Sequence, residues 1–172
     1  MFSRTIATVE EALQKVDSEQ LIIGSRFPRG VYQGVRVQGC SFVRCSFSGI
    51  TFRDVQFREC SFALCFFDFA HLTNCRFEDC TFQHAVFASA RIEGCSFEGS
   101  DLPLTNFNGI EGKESSFADT DLEDARFINA RLSRCSFENS NCTRTFFQFS
   151  VRQEVSFKYT NVEDAFFQEA RE

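Results

Sequence analysis

Residues 40–69 read CSFVRCSFSGITFRDVQFRECSFALCFFDF, with Phe at positions 42, 47, 52, 57, 62 and 67. The spacing of five runs without a slip from Ile22 to Phe167, over thirty positions. Eighteen of these are Phe, nine are Ile, Leu, Val or Tyr, and three are Gly112, Cys142 and Arg152. A five-residue step turns about 140° on an α-helix and alternates faces on a straight strand. The spacing therefore predicts short extended segments that each end in a corner.

Two other positions in each unit support this interpretation. A small residue lies two before each large one, on the same inward side of an extended segment. Eleven examples are Cys40, Cys45, Val55, Cys60, Cys65, Ala70, Cys75, Cys80, Ala85, Ala90 and Cys95. Seven of the nine glycines lie two residues after a large one, and both prolines lie one after it, so the corner is predicted there.

A second period sets the number of sides in each coil. Large positions whose number ends in 7 are Phe in fourteen of fifteen cases, whereas those ending in 2 are Phe in only four of fifteen. A three-sided coil would mix these two classes in every column, but an even-sided coil keeps them apart. The pattern predicts four sides and about 20 residues per coil.

The units CSFVRCSFSG (40–49) and ADTDLEDARFINARLSRCSFENS (118–140) resemble those of pentapeptide repeat proteins, which read roughly A-(D/N)-L-x-x. The resemblance covers about residues 20–170. It implies an all-β fold, a right-handed quadrilateral parallel β-helix of about 7 to 8 coils, each adding about 4.8 Å to the rod. We expect residues 1–19 to form an N-terminal cap and residues 20–172 to form a single solenoid domain.

The N-terminal cap is expected to contain a short helix. Thr8 followed by Glu11 matches the capping box that opens a helix. Residues 9–17 then place Val9, Ala12, Leu13 and Val16 on an apolar side. This helix is predicted to cover the first coil, whose backbone edge would otherwise be open.

Several functional classes find no support in the sequence. The chain shows no secretory signal and no apolar stretch long enough to span a bilayer, so we expect a cytoplasmic protein without membrane contact. All nine cysteines are at inward positions without a C-x-x-C motif, so they are interpreted as small buried side chains and not as metal ligands or disulfides. The two histidines, His71 and His84, are outward on different walls. We therefore predict no enzyme, no catalytic residue, no metal and no cofactor.

Charge is distributed unevenly over the predicted walls. The net charge is −6. From residue 75 onward, two adjoining walls carry eleven acids against three bases, a balance of −8. The predicted partner-binding edge comprises Glu78, Asp79, Glu98, Asp101, Asp119, Asp121, Glu123, Asp124 and Glu138. The predicted stacking of Glu78 beneath Glu98 and of Asp101 beneath Asp121 is unfavourable for stability. Solubility is one explanation, and mimicry of duplex DNA, which carries one charge per about 1.7 Å, is the other.

The C-terminal coils carry aromatic residues at outward positions. These are Phe146, Phe149, Tyr159 and Phe166, and the spacing of twenty predicts that Phe146 and Phe166 stack. They predict a homodimer through the C-terminal coils, the alternative being an aromatic ladder on a monomer. Gly112 and Arg152 interrupt the core in one column. There we expect a bulge or an outward-turned Arg152, and a distorted corner or small loop within NGIEGKES (108–115).

The resemblance also implies a function. Cys- and Phe-rich pentapeptide repeat proteins of the Qnr- and MfpA-like branch bind DNA gyrase or topoisomerase IV and protect against quinolones or toxins. Qnr-type proteins of Gram-negative bacteria carry projecting loops that the unbroken frame leaves no room for, whereas MfpA-like members lack them. The sequence thus favours a protein-binding rod without direct nucleic-acid contact, because no basic stripe is present. The alternative is a passive interaction scaffold or adaptor in an unrelated pathway.

Overall fold

The computed structural model describes residues 4–169, which form an all-parallel β-solenoid of about seven turns. One helix, α1 (Val9–Ser18), precedes most of the strands. The strands are β1 (Arg4–Thr5), β2 (Leu21–Ile23), β3 (Ser25–Arg26), β4 (Val31–Gln33), β5 (Arg36–Gln38), β6 (Ser41–Val43), β7 (Thr51–Arg53), β8 (Gln56–Arg58), β9 (Ser61–Ala63), β10 (His71–Thr73), β11 (Arg76–Glu78), β12 (Arg91–Glu93), β13 (Glu111–Lys113), β14 (Arg131–Ser133) and β15 (Val151–Gln153).

The pairing register confirms the predicted four-sided coil. His71 in β10 pairs with Thr51 on one side and with Arg91 on the other, in parallel, at a separation of twenty residues. The same separation recurs in the other sheets of the rod, as between Val37 and Phe57. One turn therefore contains four five-residue units, because each unit forms one side.

The four sides form four walls, which we name after their first central residues. The Ile22 wall contains β2, β6 and β9, and the Phe27 wall contains β1 and β3. The Tyr32 wall is a seven-stranded sheet of β4, β7, β10, β12, β13, β14 and β15, and the Val37 wall contains β5, β8 and β11. Single bridges such as Asp101 to Asp121 continue the shorter walls toward the C-terminal coils.

The corners have a left-handed backbone at the position that the sequence predicted. Twenty-one non-glycine residues and all seven corner glycines have φ between 49° and 71°, each two residues after a central position. At Arg29 the pattern is broken, next to the place where α1 packs. A Cβ added to Gly30 would lie 2.7 Å from Val9 Cγ2, so the helix can approach this corner only because Gly30 has no side chain.

The core consists of stacked Phe rings. Phe87 lies between Phe67 at 4.6 Å and Phe107 at 4.9 Å, with interplanar angles of 4° and 15°. Rings from the opposite wall meet them edge-on, as Phe117 meets Phe107 at 5.5 Å and 79°. Both geometries are favourable for aromatic pairs, and each layer contacts only its neighbours.

The N-terminal helix forms as predicted and extends one residue further. Thr8 Oγ1 accepts a hydrogen bond from the Glu11 amide at 3.1 Å, and the Glu11 carboxylate accepts one from the Ala7 amide at 3.0 Å. Ala12 is fully buried, and Leu13 and Val16 pack against the core. The helix therefore covers the apolar end of the first coil.

All nine cysteines are buried and free. Their thiols lie near carbonyl oxygens of the preceding coil, as Cys45 Sγ does at 3.3 Å from the Ile22 oxygen. Further along the rod Ser and Thr take this position, and Ser100 Oγ donates to the Phe77 oxygen at 2.9 Å. The small inward position therefore supplies a hydrogen-bond donor as well as a small volume.

The irregularity expected around Gly112 is not there. Strand β13 keeps its register, with Gly112 between Ile92 and Leu132, so the predicted loop or distorted corner is wrong. A Cβ added to Gly112 would lie 2.9 Å from Leu132 Cδ2. Ile110, at the position that is usually small, is fully buried. Side chains of neighbouring positions therefore fill the space that a large residue at 112 would occupy.

Arg152 is accommodated without the expected bulge, because β15 pairs in register with β14. Its Nη1 donates to the carbonyl oxygens of Phe147 at 3.1 Å and Ser150 at 3.2 Å, and its Nη2 pairs with the Glu169 carboxylate. The guanidinium lies 5.4 Å from the centroid of the Phe167 ring. No described residue stacks beyond Arg152 on this wall, and its charge is compensated by these carbonyl oxygens and the Glu169 carboxylate, beside the Phe167 ring.

Candidate functional site: the acidic corner

The corner between the Val37 wall and the Ile22 wall places acidic side chains outside. In residues 97–101, Phe97 and Ser100 are buried, while Glu98 and Asp101 are exposed. Gly99 has a φ of 71°, which turns the chain between the two walls. The alternation of inward and outward residues therefore fixes Glu98 and Asp101 on the two sides of one corner.

Five of the predicted edge residues form what we call the acidic corner. They are Glu78, Asp79, Glu98, Asp101 and Asp119. All five are exposed, and none forms an ion pair with a residue in the described range 4–169. The in-register bridges from Arg76 to Ser96 and from Asp101 to Asp121 confirm the predicted stacking of like charges in successive coils. The five acids belong to three successive coils, which span about 10 Å of the rod.

The other four edge residues have partners. Arg144 Nε lies 3.0 Å from Asp124 Oδ1 and its Nη2 lies 2.9 Å from Asp124 Oδ2, and it also pairs with Glu123. This hydrogen-bonded guanidinium lowers the pKa of the Asp124 carboxyl. Asp121 Oδ1 accepts a hydrogen bond from Asn141 at 2.9 Å, and the Glu138 carboxylate accepts one from Ser156 at 2.6 Å.

On the Tyr32 wall, acidic and basic side chains form ion pairs. Arg91 pairs with Glu111 of the next coil at 3.1 Å, and Lys113 pairs with Glu93 at 3.0 Å. Opposite charges therefore lie in neighbouring coils on this wall, whereas like charges lie in neighbouring coils at the acidic corner. Like charges on neighbouring strands are destabilising, so fold stability does not account for the acidic corner.

The acidic corner presents carboxylates that attract positive charge. Four of its members line an open groove, together with Arg76, Arg134, Ser96 and Ser116; the four are Glu78, Asp79, Glu98 and Asp119. Within residues 4–169 no cluster of His, Cys, Asp and Glu is arranged to hold a metal ion. The exposed carboxylates are aligned along the rod, which suits a basic surface that extends over several coils.

The predicted aromatic residues lie where the sequence placed them. Phe146 and Phe166 stack at 4.8 Å with an angle of 8°, as predicted, and Phe166 is 44% exposed. Tyr159 is 77% exposed, with Lys158 Nζ 5.0 Å from its ring centroid, and Phe149 is 39% exposed. The last described coils therefore present a partly apolar surface.

Sequence reasoning missed a second surface feature, which we call the apolar corner. It lies between the Ile22 wall and the Phe27 wall and comprises Leu64, Phe66, His84, Val86 and Leu104. Leu64, Phe66 and Leu104 are 39%, 39% and 43% exposed. The signal was present, because Leu64 and Leu104 occupy the corner position where Gly, Asn and Asp are favoured.

No helix within the described residues is long and apolar enough to cross a membrane.

The geometry defines this molecule as a parallel β-solenoid built from five-residue units, with buried Phe ladders and a charged outer surface. The family model "Pentapeptide repeats (8 copies)" matches residues 70–109 and 115–148. The chain shares the repeat unit and the solenoid fold of the pentapeptide repeat proteins, whose members are generally non-enzymatic structural scaffolds.

Three solved structures illustrate the likeness. Trypsin-treated QnrB1, a plasmid-mediated fluoroquinolone resistance protein, is 20% identical over 82% of this chain and 88% of that chain, with a TM-score of 0.42. Rfr23, from the cyanobacterium Cyanothece 51142, is 13% identical over 92% and 99%, with a TM-score of 0.41. HetL, a pentapeptide repeat protein involved in heterocyst differentiation regulation from the cyanobacterium Nostoc sp. strain PCC 7120, is 12% identical over 94% and 95%, with a TM-score of 0.30. No curated protein sequence matches the chain.

Proposed function

We propose that this protein is a non-enzymatic rod whose acidic corner mimics DNA and binds the basic DNA-binding surface of a type II topoisomerase, either DNA gyrase or topoisomerase IV. Binding there modulates the enzyme or protects it from quinolones or toxins. The sequence resemblance to the Qnr- and MfpA-like branch supplies the identity of the partner. A cytoplasmic location belongs to the same proposal, because the partner acts there.

The observation that carries the proposal is the contrast between two surfaces of one rod. Exposed acids at the acidic corner have no ion-pair partner within the described residues, whereas Glu93 and Glu111 on the Tyr32 wall are paired with bases. A uniform need for solubility does not select such a difference. A row of unpaired carboxylates about 5 Å apart per coil offers a basic partner the regular negative charge that it meets on duplex DNA.

The test is a supercoiling assay with purified DNA gyrase, with and without a fluoroquinolone, at micromolar rod concentrations. We expect inhibition of supercoiling or protection from the drug. The variant Glu98→Gln, Asp101→Asn, Asp119→Asn should lose the effect, because it removes three unpaired charges from the acidic corner. A wild-type protein without any effect on gyrase or topoisomerase IV would overturn the proposal and leave the adaptor function.

A matched control separates the acidic corner from net charge. The variant Glu93→Gln, Glu111→Gln, Glu154→Gln also removes three negative charges, but two of them lie on the Tyr32 wall and Glu154 is at its corner with the Val37 wall. It should keep full activity. Equal loss in the two triple variants would show that only the total charge matters, and would remove the acidic corner as the site.

We also propose that two rods form a homodimer through their C-terminal coils. Val162 is 41% exposed although its position is central, and Phe157 and Phe167 are only partly buried. These side chains and the exposed Phe166 favour burial against a second copy. A dimer would carry two acidic corners and so extend the charged surface.

A further inference from the structure

We infer that the apolar corner is a second contact point for the same partner, which must present an apolar side chain or pocket beside its basic surface. The inference rests on the proposed function in one respect, namely that the partner is basic. It goes further because duplex DNA offers no such apolar anchor. The occupant is therefore a protein surface of mixed basic and apolar chemistry, and not any cationic surface.

The apolar corner extends over three coils, with His84 between Leu64 and Leu104. The Leu64 amide donates to the Gln83 oxygen at 3.0 Å, and the His84 amide donates to the Pro103 oxygen at 3.4 Å. These bonds stack the corner residues at 64, 84 and 104 in one column. Phe66 and Val86 are bridged in register on the adjoining Phe27 wall. Leu64 and Leu104 thus share one edge of the rod with Phe66 and Val86.

The backbone makes this composition unfavourable for the fold itself. Leu64 and Leu104 have φ values of 58° and 57°, in the left-handed region where a Cβ is crowded. Gly or Asn relieves that crowding, and Asp124 and Arg144 show that polar residues serve in the same corner column. Large apolar residues here are costly in conformation and expose apolar surface, so neither stability nor solubility favours them.

The acidic corner and the apolar corner flank the same wall. Asp101 and Leu104 lie three residues apart, at opposite ends of one segment of the Ile22 wall. At about 3.3 Å per residue the two side chains lie about 10 Å apart. Between them, Leu102 is fully buried and Pro103 is partly buried. A partner that covers this wall therefore meets carboxylates at one rim and leucines at the other.

The acidic corner and the apolar corner contribute differently to binding. Exposed carboxylates raise the association rate, and this electrostatic contribution decreases as the salt concentration rises. A desolvated apolar contact slows dissociation of the complex. Charge complementarity identifies the partner as basic, and the leucines restrict it to basic surfaces that offer an apolar contact. The same pair of corners would discriminate among DNA-binding proteins.

The experiment uses two peptides in place of the unidentified partner surface. One is an amphipathic helical peptide with Leu on one side and Lys on the other. The second has the same Lys residues with Ser in place of Leu. We expect the first peptide to bind the full chain at least about tenfold more tightly. In amide NMR spectra it should shift Leu64, His84 and Leu104 together with Glu98 and Asp101.

The variant Leu64→Asn, Leu104→Asn should remove the preference for the Leu-containing peptide and leave the Lys–Ser peptide unchanged. Asn tolerates the left-handed backbone, so this variant is expected to fold. Phe69→Asn is the matched control, since Phe69 is 61% exposed with φ of 57° but lies on the far side of the Phe27 wall. It should bind like the wild type.

Equal affinity for the two peptides, or shifts confined to the acidic corner, would overturn the inference. These readouts do not involve gyrase. A negative supercoiling assay together with a positive peptide result would therefore refute the topoisomerase as partner and keep the two-corner surface. A positive supercoiling assay with equal peptide affinities would do the reverse.

Discussion

Replacing Phe97 by Ala should destabilise the rod far more than replacing Phe167 by Ala. Phe97 is completely buried and stacks on Phe77 at 4.8 Å and on Phe117 at 5.0 Å. It also meets Phe82, Phe87 and Phe107 edge-on at 5.8, 6.0 and 6.2 Å. A truncation of this kind costs about 3–5 kcal/mol of unfolding free energy, because the rings on both sides hold the cavity open.

Phe167 has fewer neighbours, since it belongs to the last described coil. It stacks on Phe147 at 5.0 Å and meets Phe157 edge-on at 5.5 Å, and it is only partly buried. We expect a cost of about 2 kcal/mol, roughly half that of the central ring.

Urea unfolding followed by far-UV circular dichroism measures both free energies against the wild type. Phe97→Leu and Phe167→Leu serve as controls, because Leu retains most of the buried volume. The order of the two Ala variants is the decisive quantity. If Phe97→Ala costs no more than Phe167→Ala, the reasoning from ring neighbours is refuted.

Three further predictions concern the rest of the rod. Gly112→Ala should destabilise by about 1–3 kcal/mol in the same urea assay, because its Cβ would lie 2.9 Å from Leu132 Cδ2. Lys113→Ala, on the outer face of the same strand, should cost under about 1 kcal/mol. The variant Phe146→Glu, Phe166→Glu should sediment as a monomer at concentrations where the wild type is a dimer, and an unchanged sedimentation coefficient would remove this surface from the interface. Burial raises the pKa of the Cys142 thiol from 9.0 to about 12, so the unfolded chain loses this proton first. Stability should therefore be fully present below pH 9 and fall as pH rises toward about 12, and a urea midpoint that rises above pH 9 would contradict this.

The interior of the rod was predictable from sequence because its rule is local. A five-residue unit has a central residue, a small residue two before it and a corner two after it, and each of these positions acts through its own backbone segment. The corner at Gly99 and the stack of Phe146 on Phe166 follow from this spacing, and the capping contacts of Thr8 follow from an equally local motif. The register of twenty then follows, because four units close one turn.

The two interruptions of the core needed the tertiary structure. The sequence shows that Gly112 and Arg152 lack a large apolar side chain, but not what replaces it. Leu132 of the next coil occupies the space near Gly112, and the carbonyl oxygens of Phe147 and Ser150 bind the Arg152 guanidinium. Such compensation depends on how neighbouring coils pack, and the five-residue spacing of the sequence does not describe that packing.

By itself the sequence determined the class of fold, the wall to which each outward residue belongs, and the excess of acids along one edge. Only the tertiary structure decided which of those acids have partners. Arg144 lies twenty residues after Asp124 and reaches it across the gap between coils, while Glu98 and Asp101 have no basic partner among residues 4–169. The physical reason is that the position along the chain determines on which wall the Cα of a residue lies. The rotamer of its side chain and the neighbouring residues determine where its charged group lies.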